Sequence, residues 1–281
     1  MDRLIQSVPG MENFLRCRDL PSICRAKNPM DLNLQLLVSE TRTSARTDGL
    51  ILNTFEDLEG PILSQIRAHC PKIYTIGPLN AQLKARIPEN THSPNSLWGV
   101  DKSCIAWLEN QPSQSVICIS FGSVAVMSRD QLMEFWHGLV NSNKRFLWVI
   151  RPDLVSGKDD ETQIPGELDK ATKETGYIVG WVPREEVLAH KAIGAFFTPS
   201  GWNSTLESIV AGVPMICWRY LVDQQIVEKL ANDLFEERRE EFTKSAGRMA
   251  NLASISVNER GSSYCNLNHL INDIKMIRTK L

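Results

Sequence analysis

Between the apolar run Gly194–Thr198 (GAFFT) and the amphipathic run Ser204–Ala211 stands a short polar turn, Pro199-Ser200-Gly201-Trp202-Asn203-Ser204. A strand that passes through such a turn into a helix leaves the first amides of the helix without intrahelical acceptors and with partial positive charge. That arrangement suits an anion, a phosphate above all. Gly201 would let a ligand approach the backbone, and Asn203 and Ser204 add polar side chains. The same letters support a purely structural reading: Ser204-Thr205-Leu206-Glu207 fits the S-x-x-E capping box, in which Glu207 only bonds the cap's backbone. A second glycine turn, Ser120-Phe121-Gly122-Ser123, closes the β-rich run SVICISF.

The elements that must hold these turns alternate regularly from about residue 101. Ser115–Phe121, Arg145–Ile150, Gly176–Gly180, Gly194–Thr198 and Val213–Trp218 read as strands. Between them lie helical patterns: one capped by Ser128 with Leu132, Phe135, Trp136, Leu139 and Val140 on one face, one opened by Pro183 over Glu185–His190, and one over Ser204–Ala211. Strands rich in β-branched and aromatic residues, separated by helices, predict a doubly wound α/β domain with a parallel sheet covered on both faces. In such sheets ligands lie beyond the carboxyl ends of the strands, where both glycine turns fall. Residues 1–79 hold a smaller piece of the same grammar: a strand over Asp48–Thr54, a helix over Glu56–His69 and a strand over Ile73–Ile76. Residues 80–100, with Pro88, Pro94 and several Asn, Ser and Thr, read as a linker. Residues 101–281 are expected to form one domain ending in helices, the last with Leu267, Leu270, Ile271 and Ile274 on its apolar face.

Bulk properties exclude several classes. Hydrophobic residues at 42% and charged residues at 23% suit a folded chain rather than a disordered one. A net charge of −2, with both signs mixed along the sequence, gives no basic stripe for nucleic acid. Seven cysteines without a CxxC pair read as free thiols of a reducing compartment, and the absence of a signal peptide or a membrane-length apolar run places the chain in the cytoplasm.

The whole stretch from Trp181 to Gln224 resembles the donor-binding signature of family-1 plant UDP-glycosyltransferases. The matching positions are Trp181, Pro183, Leu188, His190, Gly194, Phe196, Gly201-Trp202-Asn203-Ser204, Glu207, Gly212-Val213-Pro214, Trp218 and Asp223-Gln224. Ser120-Phe121-Gly122-Ser123 is similar to the family's SFGS turn, and GLILNTFEDLE and IGPL also read like this family. The resemblance implies a GT-B-type protein: a donor domain plus part of a second Rossmann-like domain. It implies a UDP-sugar, UDP-glucose in the first place, as donor substrate, a small hydroxyl- or carboxyl-bearing acceptor, no metal and no further cofactor. The donor set it carries over is Ser123, Trp181, Val182, Arg184, Trp202, Asn203, Ser204, Glu207, Asp223 and Gln224. Trp181 would stack on uracil, with Val182 and Arg184 beside it. Glu207 would hold the ribose hydroxyls, Ser123, Asn203 and Ser204 would meet the diphosphate, Asp223 and Gln224 would hold the sugar, and Trp202 would line the sugar pocket. VPGMENFLRCRDLPSICR and NTFEDLEGPILSQI are similar to plant glucosyltransferases acting on iridoid-type terpenoid acids.

The chain departs from the family pattern in four ways. The family's general base, a histidine near the start of the first domain oriented by an aspartate, has no counterpart among His69, His92, His137, His190 and His269, so no catalytic residue is assigned. Pro199 stands where the family has a histidine that meets the diphosphate, and proline offers neither that side chain nor an N–H. Arg184 replaces a glutamine and Arg219 a proline. After Asp223-Gln224-Gln225 the chain enters IVEKLANDLFEERREEF directly, where family members have a further helix and strand; bare apolar surface is expected there. The resemblance therefore implies a glycosyltransferase whose transfer is impaired or absent in this chain, or a non-catalytic remnant that binds UDP-sugar weakly or not at all.

Overall fold

A computed structural model describes residues 2–87, 99–155, 172, 175–218 and 223–278. The chain divides into two compact units, Met1–Pro88 with Leu252–Leu281, and Glu89–Asn251.

In the first unit α1 (Leu32–Ser44) starts where the Asp31 carboxylate accepts the amides of Asn33 and Leu34, and none of its residues is buried. β1 (Leu50–Leu52) and β2 (Ile73–Thr75) pair in parallel. α2 (Glu56–His69) joins them and kinks at Glu59, just ahead of Pro61, whose ring denies the helix an N–H. Leu79–Arg86 forms a further helix, α3, inside the stretch read as linker. The prolines and polar residues beyond it drew attention from NAQLKAR, a run of good helix formers. Residues 88–98, with Pro88, Pro94 and His92, lie outside the described residues.

The second unit runs α4 (Ser103–Glu109), β3 (Val116–Ser120), α5 (Arg129–Asn141), β4 (Arg145–Val149), β5 (Gly176–Val179), α6 (Arg184–Leu188), β6 (Ile193–Thr198), α7 (Trp202–Ala211), β7 (Met215–Cys217) and α8 (Gln224–Asn232). A π-helical turn, Asp233–Glu237, then leads into α9 (Arg239–Val257), within which the boundary between the units falls. The sheet has five strands in the order β5-β4-β3-β6-β7, every pair parallel. This is the doubly wound α/β class that the alternation predicts. β3 shows why its strands are apolar without interruption. Ile117 and Ile119 enter a core with Phe135, Trp136, Trp148 and Phe197, while Val116 and Cys118 enter another with Leu147, Val187, Leu188 and Phe196.

Two glycines set close approaches. A Cβ on Gly138 of α5 would stand 2.6 Å from the Gln224 carbonyl oxygen and 2.7 Å from the Val227 Cβ, so only glycine lets α8 settle on α5. At Gly194 a Cβ would reach the Gln114 carbonyl oxygen at 2.7 Å, beside a register shift between β3 and β6. Ser128 caps α5 as expected: its Oγ accepts the Gln131 amide and Gln131 Oε1 accepts the Ser128 amide.

α10 (Ser262–Arg278) belongs to the first unit, not to a domain spanning 101–281. Asn266 Nδ2 donates to Thr75 Oγ1 at 2.8 Å, Lys72 Nζ meets Asp273 at 2.9 Å, and Tyr74 donates to the same carboxylate. These polar ties had no signal in the helical periodicity. The apolar face read from that periodicity is only partly used, since Ile271 and Ile274 are exposed. The bare apolar surface expected after Gln225 is seen in part among the described residues: Ile216 of β7 is buried, but Cys217 of the same strand and Ile226 at the start of α8 are exposed. No helix among the described residues is long and apolar enough to cross a membrane.

Candidate functional site

The chain leaves β3 for β4 and β5 on one side, then crosses back to add β6 and β7 on the other. The carboxyl ends of β3 and β6 therefore flank the topological switch point, where open α/β sheets leave a crevice. Both glycine turns emerge there, Ser120–Ser123 from β3 and Pro199–Gly201 from β6.

The β6 turn is held by its own side chains. Thr198 is fully buried; its Oγ1 accepts the Ser200 amide at 3.2 Å and its carbonyl accepts the Trp218 amide at 2.8 Å. Ser200 is left-handed, with φ +62°, an unusual conformation for a residue with a side chain. Gly201 has φ −57°, and a Cβ there would meet only Ser204 Oγ at 4.0 Å. Among the described residues nothing demands glycine at this point, and none of them fills the space before the helix. α7 begins at Trp202, two residues earlier than read from sequence. Trp202 and Asn203 are exposed in its first turn, and Ser204 is buried at the third position. The capping-box alternative fails for that reason: Ser204 lies inside the helix, and the cap is Gly201, which uses no side chain.

Glu207, one turn further, faces Arg184, the first residue of α6. Arg184 Nη2 donates to Oε1 at 2.8 Å and Nε to Oε2, a two-pronged pair. The side chains are 23% and 13% exposed, so the pair is largely withdrawn from water. Burial works against the arginine's charge, but the bonds to Glu207 outweigh it and hold the Arg184 pKa above its usual value. A carboxylate offers about four lone-pair directions, so a pinned Glu207 keeps about two for a ligand's hydroxyls.

Trp181 follows the end of β5, half-buried against the second core, and its carbonyl accepts the Asp101 amide at 2.8 Å. The Val182 side chain is buried in that core, which leaves only its backbone to meet a ligand. Asp223 caps α8: its Oδ1 accepts the amides of Gln225 at 2.8 Å and Ile226 at 3.4 Å. The Gln224 amide donates to Glu134 at 3.2 Å. Asp223 thus has a structural task the sequence reading missed, although an aspartate directly before a helical run is the ordinary signal for it. Arg219 lies outside the described residues. His190 Nδ1 accepts the Ala192 amide at 3.2 Å and Nε2 lies 3.2 Å from Glu109, a local structural role.

The β3 turn is held by a residue that sequence reasoning passed over, Arg151, which follows β4. Gly122 has φ +66°, which calls for glycine, and its amide meets Ser120 Oγ at 3.4 Å; Ser123 is exposed. Beneath it Arg151, only 3% exposed, donates to the carbonyls of Gly122 and Ala125 and to Asp153 Oδ1. A charged residue directly after the apolar strand RFLWVI, at the sheet's carboxyl edge, was the available signal.

The family model for "UDP-glucoronosyl and UDP-glucosyl transferase" matches residues 97–233. The chain is 51% identical to the 7-deoxyloganetic acid glucosyltransferase of Catharanthus roseus, over 99% of this chain and 63% of that protein. It is 38% identical to the 7-deoxyloganetin glucosyltransferase of the same plant, over 98% of this chain and 61% of that one. The first alignment runs over 304 residues, more than the 281 in the chain, so the relative carries residues inside the matched span that this chain lacks. Among solved structures, Os79 of O. sativa in complex with UDP superposes with a TM-score of 0.83 at 28% identity, over 95% of this chain and 64% of that one. The chain thus spans a little under two thirds of the length of these relatives. Its signature from Trp181 to Gln224, its sheet and these relatives agree, and the chain belongs to the plant family-1 UDP-glycosyltransferases.

Proposed function

We propose that the crevice at the carboxyl edge of the five-stranded sheet binds a UDP-sugar, and that the chain by itself does not transfer the sugar. The observation that carries the binding reading is the open start of α7 facing the switch point, with no protein reason for Gly201 and with the Arg184–Glu207 pair one turn away. Trp181 supplies the flat ring for uracil, with Val182 contributing only backbone. Glu207 meets the ribose hydroxyls with the oxygen capacity that Arg184 leaves it. Ser123, Asn203, Ser204 and the first amides of α7 meet the diphosphate, and Trp202, Asp223 and Gln224 border the sugar.

The parent reaction is inverting transfer of glucose to a hydroxyl or carboxyl of a small terpenoid-like acceptor. In that reaction charge develops on the departing UDP, and fixed amides at a helix start can meet it without a metal. Residues 101–251 serve as the donor-binding part, and residues 1–79 as a portion of the acceptor-binding part. No described histidine stands in the position of a general base. Loss of that function removes about 10²–10⁴ in rate, before any loss of acceptor positioning. Pro199 in place of a diphosphate-binding side chain weakens the donor about ten- to a hundredfold, the worth of one hydrogen bond to a charged group. The free thiols suit the cytoplasm as the place of action.

Calorimetric titration with UDP-glucose and GDP-glucose tests the binding reading. Preference for the uridine donor supports it, whereas equal affinity or none overturns it. Glucoside formed from UDP-glucose and an iridoid acid by the purified chain would contradict the second half of the proposal.

A further inference from the structure

Arg151 is a nearly fully buried cation with three of its N–H groups committed. Nη1 donates to the Gly122 carbonyl at 2.5 Å, Nη2 to the Ala125 carbonyl at 2.5 Å, and Nε to Asp153 Oδ1 at 2.7 Å. The same two segments are joined again where the Met127 amide donates to the Leu154 carbonyl at 3.0 Å. The guanidinium is a rigid planar fork, so bonding two carbonyls of one turn fixes their relative direction. A trans peptide holds its carbonyl and the following N–H on opposite sides. With the Gly122 carbonyl drawn down onto Arg151, the Ser123 amide is turned the other way, toward the open side of the loop. Ser123 is exposed, and its amide has no partner among the described residues. Val124, next to it, is 85% exposed, while Phe121, Ala125 and Met127 on either side pack on the core, so the core anchors the loop's ends and not Ser123–Val124.

The geometry points to Arg151 as the positioning residue that aims the Ser123 amide into the crevice as a donor to the ligand's diphosphate. This rests on the reading of the crevice as a UDP-sugar site. Arg151 itself touches no ligand; it acts through the loop. Its contribution belongs to the diphosphate and not to the nucleoside, which separates it from a residue that merely keeps the domain folded.

The test is a calorimetric titration of uridine, UMP and UDP into the full chain and its Arg151→Met, Arg151→Lys and Asp153→Asn variants. Arg151→Met is expected to weaken UDP by at least about tenfold, the worth of a charge-assisted hydrogen bond, while uridine affinity stays unchanged. Arg151→Lys should fall between, because a point charge on a flexible stem cannot hold two carbonyls at a set angle. Asp153→Asn keeps an oxygen to accept from Arg151 Nε and should weaken UDP less than Arg151→Met does, with uridine unchanged. Equal weakening of uridine and UDP, or UDP affinity unchanged in Arg151→Met, overturns the inference. Hydrogen exchange of the free protein provides a reading without ligand: Arg151→Met should speed the Met127 amide, which bonds the Leu154 carbonyl, and leave those of 116–120 protected. If the parent chain binds neither uridine nor UDP, the donor-site reading falls. The positioning role then falls with it; where UDP does bind, exchange at Met127 as fast in the parent as in Arg151→Met overturns the positioning role alone.

Discussion

The two units of this chain treat a parallel sheet in opposite ways. The five-stranded unit covers both faces: Phe135, Trp148 and Phe197 fill one side, Leu147, Val187 and Phe196 the other, all at or near zero exposure. The two-stranded unit leaves α1 without a buried residue and exposes Met30, Leu32, Leu36 and Ile51 by more than half. Two strands are marginal as an independent sheet, and this pair gains most from α10, through polar bonds at Thr75 and Tyr74. A binding crevice needs strand ends that stay put when the ligand is absent. The well-covered sheet provides them, and the signature residues gather on it.

The largest expected effect separates the units by their cores. Phe135→Ala should cost about 3–5 kcal/mol in urea unfolding, whereas Leu32→Ala, already in water, should change stability by less than about 0.5 kcal/mol. Similar losses from the two would break the contrast.

Next comes the Arg184–Glu207 pair. Glu207→Met strands a largely buried arginine and should cost up to about 3 kcal/mol. Arg184→Met with Glu207→Met together should recover part of that loss, a coupling that a double-mutant cycle reads directly. Additive losses would show that the pair contributes nothing as a pair.

Asp223 offers a smaller and sharper test, because it both caps α8 and is proposed to meet the sugar. Asp223→Ala should cost about 1 kcal/mol, and Asp223→Asn, an equivalent cap, should cost almost nothing. If Asp223 also holds the sugar, Asp223→Asn weakens UDP-glucose but not UDP. Equal affinities would leave it as a cap alone.

The smallest effect lies in the first unit and depends on pH. Burial alone would raise the Glu56 pKa, but the bonds from Arg67 and Thr75 reverse this and hold it below 4.5. The native state then binds fewer protons than the unfolded chain in that window. The contribution of Glu56 is fully present above about 4.5 and fades as pH falls through the lower folded value. Urea unfolding between pH 6 and pH 3 should show a loss that Glu56→Gln flattens; an identical slope in the variant would contradict it.

The same contrast explains what was legible in the sequence. Strands buried on two faces read as unbroken apolar runs, so β3, β4 and β6 fell where expected. Ser128 was found as a cap because its partner Gln131 lies three residues on. Contacts between residues distant in sequence left no local trace. The Arg184–Glu207 fork spans two helices, Arg151 reaches back from one strand end to another, and the return of α10 to Thr75 and Tyr74 joins residues 191 and 199 apart in the chain. The start of α7 was missed by two residues because Ser204 and Glu207 imitate a capping box while Gly201 serves as the cap. α3 was hidden by the prolines that follow it.

Thermal denaturation of the purified chain with increasing UDP-glucose tests the central claim most directly. A built site should give a saturable rise in Tm, equivalent to about 2.7 kcal/mol at a hundredfold excess over Kd. A cooperative melt that stays in place at every concentration would contradict it, and would reduce the signature from Trp181 to Gln224 to a folded form without its ligand.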